Sequence, residues 1–378
     1  MDLSSLEQLS HIRNKLGLNI SPWDTMPEDL LYLAFIPKGV PTTPVYNFKD
    51  NDMLEFIGDA ILDVIVAQYL SQYYIGDYSC FLKQFVANTV LTCLMNKQSL
   101  CSPIVAVQNK ACADRFEAII GALYHHIYNS EYHHQSFETT AVWFNTNFNL
   151  NSTLQSIMSR GRSDCAGAIR SCSDKTIDRA MIDLVVEIQL DPETTQSLTN
   201  LREHINPLQY VSIGSDPDDF DVIALSSLPL DLLYLAFYHN SRSHHELNQA
   251  FIRKYGFDNN RTFIFLGQKV FKLLITLDFF NLVEKGISID ARYAHEIREH
   301  IISRQTIHNV MNTNKFRDIF RTRMNDIDLW YCIVGVIYYY LYRVRSERYA
   351  MNIMKVWLEV GVIWPDQLRP ADWFIKTT

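Results

Sequence analysis

Apolar residues recur along this chain at helical spacing, and the breaks fall where proline and glycine interrupt the pattern. Leu3, Leu6, Leu9, Ile12, Leu16 and Leu18 predict a first helix ending near Gly17, ahead of Ser21-Pro22. Pro27–Phe35 opens a second helix with proline in its first turn, followed by a loop holding Pro37, Pro41 and Pro44. Helical periodicity then runs from Met53 to Tyr74, from Phe81 to Leu94 and from Ala111 to Tyr124. Met181 to Leu190 fits either strand or helix, and Leu198, Leu201 and Ile205 suggest a further helix.

The pattern occurs twice. Pro229–Phe237 repeats Pro27–Phe35 with only Glu28 changed, to Leu230. Asn260–Gln268 lies over Asn51–Asp59 with Asn, Phe and Gly in register; Thr306–Asn312 lies over Val90–Asn96, and Asp328–Gly335 over Asp114–Gly121. Four blocks in one order, one containing an identical Leu-Leu-Tyr-Leu-Ala-Phe hexapeptide, argue for duplication over chance likeness of amphipathic helices. The expected division is a first domain at 1–150, a linker or insertion at 151–195, a second copy at 196–365 and a tail at 366–378. The stretch 151–180 is rich in Ser, Arg and Gly, including Ser159-Arg-Gly-Arg-Ser163, and reads as a linker before it reads as an RNA-touching arm. The acidic run Asp216–Asp221 lacks the Gly and Glu of a calcium loop and reads as a solvated turn.

Length and charge refine this picture. A chain of 378 residues exceeds one ordinary core. Its net charge of −8 does not suggest a nucleic-acid binder, yet residues 1–150 carry 8 basic and 15 acidic side chains whereas residues 242–355 carry 18 and 11. Seven cysteines without a C-x-x-C favour neither a disulfide framework nor a zinc knuckle, and suit a reducing compartment. No apolar run reaches the length of a membrane span, and the N-terminus resembles no signal peptide, so an intracellular, cytoplasmic or nuclear protein without a membrane partner is expected. His125-His126, His133-His134 and His244-His245 lack a third ligand at zinc spacing and read as solvated surface. The aromatic stripe Tyr338–Tyr342 reads as core ahead of a base-stacking platform.

The candidate chemistry lies in two acidic pairs. Glu55 and Asp59 stand four apart on a helix whose apolar stripe is Leu54, Ile57, Ile61 and Leu62, and Asp114 and Glu117 stand three apart on another. Spacing alone describes many solvated helix faces. The strings themselves are more specific: Asn51-Asp-Met-Leu-Glu-Phe-Ile-Gly-Asp59 resembles the ribonuclease III signature N-x-x-L-E-F-[LI]-G-D, departing only at Asp52, where that family usually has Glu. Ala113–Tyr124 is similar to the family's A-D-x-x-E-A-x-I-G-A-x-Y.

The resemblance implies an all-α fold, with two tandem ribonuclease III-type helical domains forming an intramolecular pseudo-dimer. It implies that Glu55, Asp59, Asp114 and Glu117 bind two Mg²⁺ ions, with Mn²⁺ a substitute, for hydrolysis of double-stranded or hairpin RNA by an activated water and without a covalent intermediate. Lys110, as in Dicer-type members, and Asn88 are supporting candidates. Phe56 and its counterpart Phe265 would serve domain pairing, against the simpler reading of core phenylalanine.

The second copy loses the pattern. Glu55 corresponds to Ile264, Asp59 to Gln268 and Glu117 to Tyr331, and only Asp328 retains its acid. Asp63 is matched by Lys272 and Asn88 by Arg304. The expectation is one active centre per chain, with Arg304, Arg298, Lys269 and Lys272 of the basic half holding RNA phosphates, or simply forming a solvated charged face. The rival expectation is a non-catalytic duplex-RNA-binding or scaffold protein on the same fold. A protein partner supplying a second centre is a third.

Overall fold

Helices form wherever the apolar stripe is long enough to bury one face, and in the computed structural model they account for nearly all regular structure. The structure describes residues 3–36, 46, 48, 50–75, 78–101, 109–150, 175–176, 186–205, 225–237, 245–319, 324–345 and 350–362. Apart from Lys175 and Thr176, the Ser-Arg-Gly stretch lies outside these residues, as do the acidic run and the C-terminal tail named above.

In the first half the helices are α1 (Leu3–Lys15), α2 (Glu28–Phe35), α3 (Asp52–Tyr73), α4 (Tyr78–Phe85), α5 (Asn88–Lys97), α6 (Asn109–Tyr128) and α7 (Ser136–Phe148). In the second half they are α8 (Pro192–Ile205), α9 (Leu230–Phe237), α10 (His245–Tyr255), α11 (Arg261–Glu284), α12 (Ala291–Ile301), α13 (Arg304–Thr313), α14 (Phe316–Ile319), α15 (Asp326–Tyr340) and α16 (Ala350–Val356). Among the described residues the β-structure is one antiparallel pair of two-residue strands, with Tyr74 opposite Thr176. The single periodic run expected over Phe81–Leu94 is two helices, because the chain turns extended at Ala87 (ψ 138°) before α5 begins.

Packing divides the chain into two compact units that do not follow the sequence halves. Unit 1 comprises residues 1–69, 79–172 and 276–296; unit 2 comprises 70–78, 173–275 and 297–378. Helices α3 and α11 are therefore each shared between units. In unit 1 the second half of α11 supplies Phe280, which meets Phe48, Tyr124, His125 and Tyr128 at ring-centroid distances of 5.3–6.3 Å.

Within each unit the same local contacts recur at positions matched in sequence. In unit 1 the Asp29 carboxylate accepts hydrogen bonds from the Tyr46 hydroxyl (2.7 Å) and the Leu30 amide (2.9 Å). In unit 2 Asp231 accepts from the Tyr255 hydroxyl and the Leu232 amide, both at 3.0 Å. Trp143 donates its indole N–H to the Leu16 carbonyl (2.8 Å), and Trp357 donates to that of Ile205 (3.0 Å), tying α7 to the end of α1 and the helical segment after α16 to the end of α8. Trp330 and Tyr338–Tyr340 lie in the core of unit 2, as the stripe suggested.

Candidate metal centre

Two helices carry the acids, and glycine decides how closely they cross. A Cβ on Gly58 of α3 would sit 1.8 Å from the Glu117 carbonyl oxygen, and one on Gly121 of α6 would sit 2.0 Å from that of Leu54. No side chain fits either place, so the backbones touch where the two acidic faces meet. Unit 2 keeps the crossing: a Cβ on Gly267 would meet the Tyr331 carbonyl at 1.9 Å, and one on Gly335 that of Phe263 at 1.9 Å.

The crossing in unit 1 gathers Glu55, Asp114 and Glu117, whose carboxylate oxygens come within 4.8 Å of one another. Asp59 lies outside that group of three but close enough to act on it electrostatically. The Glu117 carboxyl is pushed up to about 9, first by burial and then by the negative charges of Asp59, Glu55, Asp114 and Asp63. Asp63, one turn beyond Asp59 on α3, is buried. Such a donor set fits a hard divalent cation, which binds carboxylate oxygens and would offset the burial and the repulsion that push the Glu117 carboxyl up.

The remaining predicted residues are placed as follows. Asn88 is exposed in the first turn of α5. Lys110 falls in the first turn of α6, and its side chain lies outside the described set. Phe56 is buried and packs against Phe279 at 6.5 Å between centroids. Phe265 is buried and stacks on Tyr78 at 5.4 Å. Arg304 is exposed, Lys269 and Lys272 are half-buried, and Arg298 is only 2% exposed, so its guanidinium belongs to the interior of unit 2.

At the matched positions in unit 2, Ile264 is half-buried, Gln268 exposed and Tyr331 buried, the Tyr331 phenol being pushed up to about 12 by burial and by Glu299 and Asp328. The retained acid, Asp328, works in a helix cap. Its amide donates to the Asn325 side-chain oxygen (2.9 Å), and the Asn325 amide group donates back to its carboxylate (2.7 Å).

Two expectations are corrected here. Cys101 and Cys112 form a disulfide, with Cα atoms 5.4 Å apart, whereas the cysteine count favoured none. Spacing could not reveal that the chain after α5 and the start of α6 bring the pair together. His125 is not solvated surface. It is buried against Tyr46, Phe48 and Phe280, with Nε2 3.1 Å from the Glu284 carboxylate. Neighbouring His126 is half-buried, 3.1 Å from the Pro22 carbonyl, and its imidazole is pushed down mainly by burial.

A tight helix crossing that gathers carboxylates is a site suited to a divalent cation and, through it, to phosphate chemistry. Residues 52–127, which span α3 through nearly all of α6, match the model of the ribonuclease III domain. No curated protein matches the chain. No described helix is long and apolar enough to cross a membrane.

Proposed function

We propose that this chain is a divalent-metal-dependent endoribonuclease acting on double-stranded or hairpin RNA, with one active centre, in unit 1. The observation that carries this reading is the carboxylate group Glu55, Asp114 and Glu117, held on the glycine crossing inside the segment that matches the ribonuclease III domain. Glu55, Asp59, Asp114 and Glu117 would hold Mg²⁺ or Mn²⁺. The bound ions would supply charge neutralisation at the scissile phosphate and activation of water. The protein's part is positional: the backbone contact at Gly58 and Gly121 fixes the two acidic faces, and Glu117 would hold the ion as its carboxylate.

The second half is read as a degenerate copy of the first. The recurring aspartate–tyrosine pair, indole–carbonyl bond and glycine crossing support duplication, and Ile264, Gln268 and Tyr331 remove the ligands. The intramolecular pseudo-dimer, with Phe56 and Phe265 serving domain pairing, is carried into this reading by the resemblance alone; in the structure each packs inside its own unit, Phe56 on Phe279 and Phe265 on Tyr78. Exposed Arg304 and half-buried Lys269 and Lys272 are the proposed phosphate contacts; Arg298 is better assigned to the fold.

The test is a duplex labelled on each strand, incubated with a proven monomer and Mg²⁺. Strand nicking that Glu117→Gln abolishes is expected. Equal cutting of both strands would refute the single centre, and unchanged activity of Glu117→Gln would refute the site. Salt-sensitive duplex binding with no Mg²⁺-dependent product would favour the scaffold reading instead.

A further inference from the structure

The Cys101–Cys112 bridge sits beside the candidate centre. Cys112 is buried in the first turn of α6, two residues before Asp114 and five before Glu117. Cys101 is half-buried in the chain that follows α5, and its carbonyl accepts a hydrogen bond from the Arg115 guanidinium at 3.1 Å. The bridge and this hydrogen bond both fasten the start of the acid-bearing helix to one point in the chain.

Unit 2 has a strap at the same place, made differently. Carrying the register of Thr306–Asn312 over Val90–Asn96 forward puts Arg317 over Cys101, and carrying that of Asp328 over Asp114 backward puts Asp326 over Cys112. Arg317 and Asp326 form a salt bridge, and His308, at the position of Thr92, joins them through the Asp326 carboxylate. Both units thus tie the segment after the preceding helix to the first turn of the crossing helix, one covalently and one by charge. An ion pair is indifferent to reductant, whereas a disulfide is not.

We propose that Cys101 and Cys112 are a reversible thiol–disulfide couple that fixes the first turns of α6, so that redox state sets the placement of Asp114 and Glu117 and the strength with which the cluster holds a divalent cation. The cation part rests on the reading of the centre given above. Oxidation would use a low-molecular-weight disulfide. The more accessible Cys101 sulfur displaces one thiol to give a mixed disulfide, and Cys112 then displaces the second. Two electrons and two protons pass from the cysteine pair to two released thiols, and a small dithiol reverses the step.

The experiment uses the full chain without metal, held in dithiothreitol or in oxidised glutathione, with peptide mapping to establish the linkage. Amide hydrogen exchange across residues 112–118 and Mn²⁺ binding by calorimetry are then measured. Reduction is expected to speed exchange in those turns about tenfold and to weaken Mn²⁺ binding severalfold, reversibly. A Cys101→Ser/Cys112→Ser chain should match the reduced protein in both buffers. A Cys101→Arg/Cys112→Asp chain, which transplants the ion pair of unit 2, should exchange slowly in both. Equal exchange in the two redox states, or no Cys101–Cys112 linkage after oxidation, would overturn the proposal. Redox-dependent exchange without Mn²⁺ binding in either state would support the strap and refute the cation reading of the centre.

Discussion

Replacing Glu117 by glutamine should stabilise the metal-free protein while abolishing the proposed nuclease activity. The carboxyl is pushed from 4.5 to about 9 by burial and four neighbouring carboxylates, so the native state holds a proton that the unfolded chain has released. Native protein therefore binds more protons than unfolded protein between these values, and stability falls as pH rises through them. The contribution is intact below about 4.5 and is fully lost near 9. At pH 7.5 the gap is about three pH units, worth about 4 kcal/mol. Glutamine keeps the size of the side chain and carries no charge to suppress, so Glu117→Gln should recover most of that, roughly 10 °C in Tm for a cooperative unit of this size. The assay is thermal unfolding in chelator from pH 5 to 9. Wild type should lose stability steadily on the alkaline side and Glu117→Gln should not. Added Mg²⁺ should raise the Tm of wild type most at high pH, where little proton must be displaced, and should raise that of the variant least. A variant no more stable than wild type at pH 8, or a wild-type curve flat from pH 6 to 8.5, would refute the electrostatic account of the cluster.

Other outcomes follow from the same geometry. Gly58→Ala should destabilise unit 1 by about 3 kcal/mol or more in denaturant titration and lower cleavage with every carboxylate still present, because the new methyl meets the Glu117 carbonyl; Gly335→Ala should cost unit 2 about as much. Trp143→Phe should lose about 1–3 kcal/mol by stranding the Leu16 carbonyl, with Trp357→Phe its counterpart at Ile205. Arg304→Ala should lower the salt slope of duplex binding by about one ion with stability unchanged, whereas Arg298→Ala should register mainly as lost stability in the same denaturant titration.

The two acid-bearing helices were legible because their apolar stripes and glycines are local signals: α3 starts within a residue of its expected position, and Gly58 and Gly121 stand inside the motifs that announced the site. What spacing could not reveal depends on contacts distant in sequence. His125 reads as a polar surface residue until Phe280 and Glu284, more than 150 residues away, are packed over it. Trp143 and Trp357 carried a repeat signal that went unread, since two tryptophans at matched positions say nothing of a shared carbonyl partner until the ends of α1 and α8 are placed. Asp328 read only as the one acid retained among the four matched positions, and its place in a helix cap depends on Asn325, three residues before it.

The sharing of α3 and α11 bears on how the protein is made. Unit 1 needs residues 276–296, and the ribosome reaches these only after the hundred or so that follow residue 172. At the usual pace of synthesis that is a wait of roughly 5–20 s, during which Phe48, Tyr124 and Tyr128 have no Phe280 to cover them. The nascent first half must therefore stay soluble with an unfinished core, and a chain stopped after residue 195 should need a chaperone where the full chain does not.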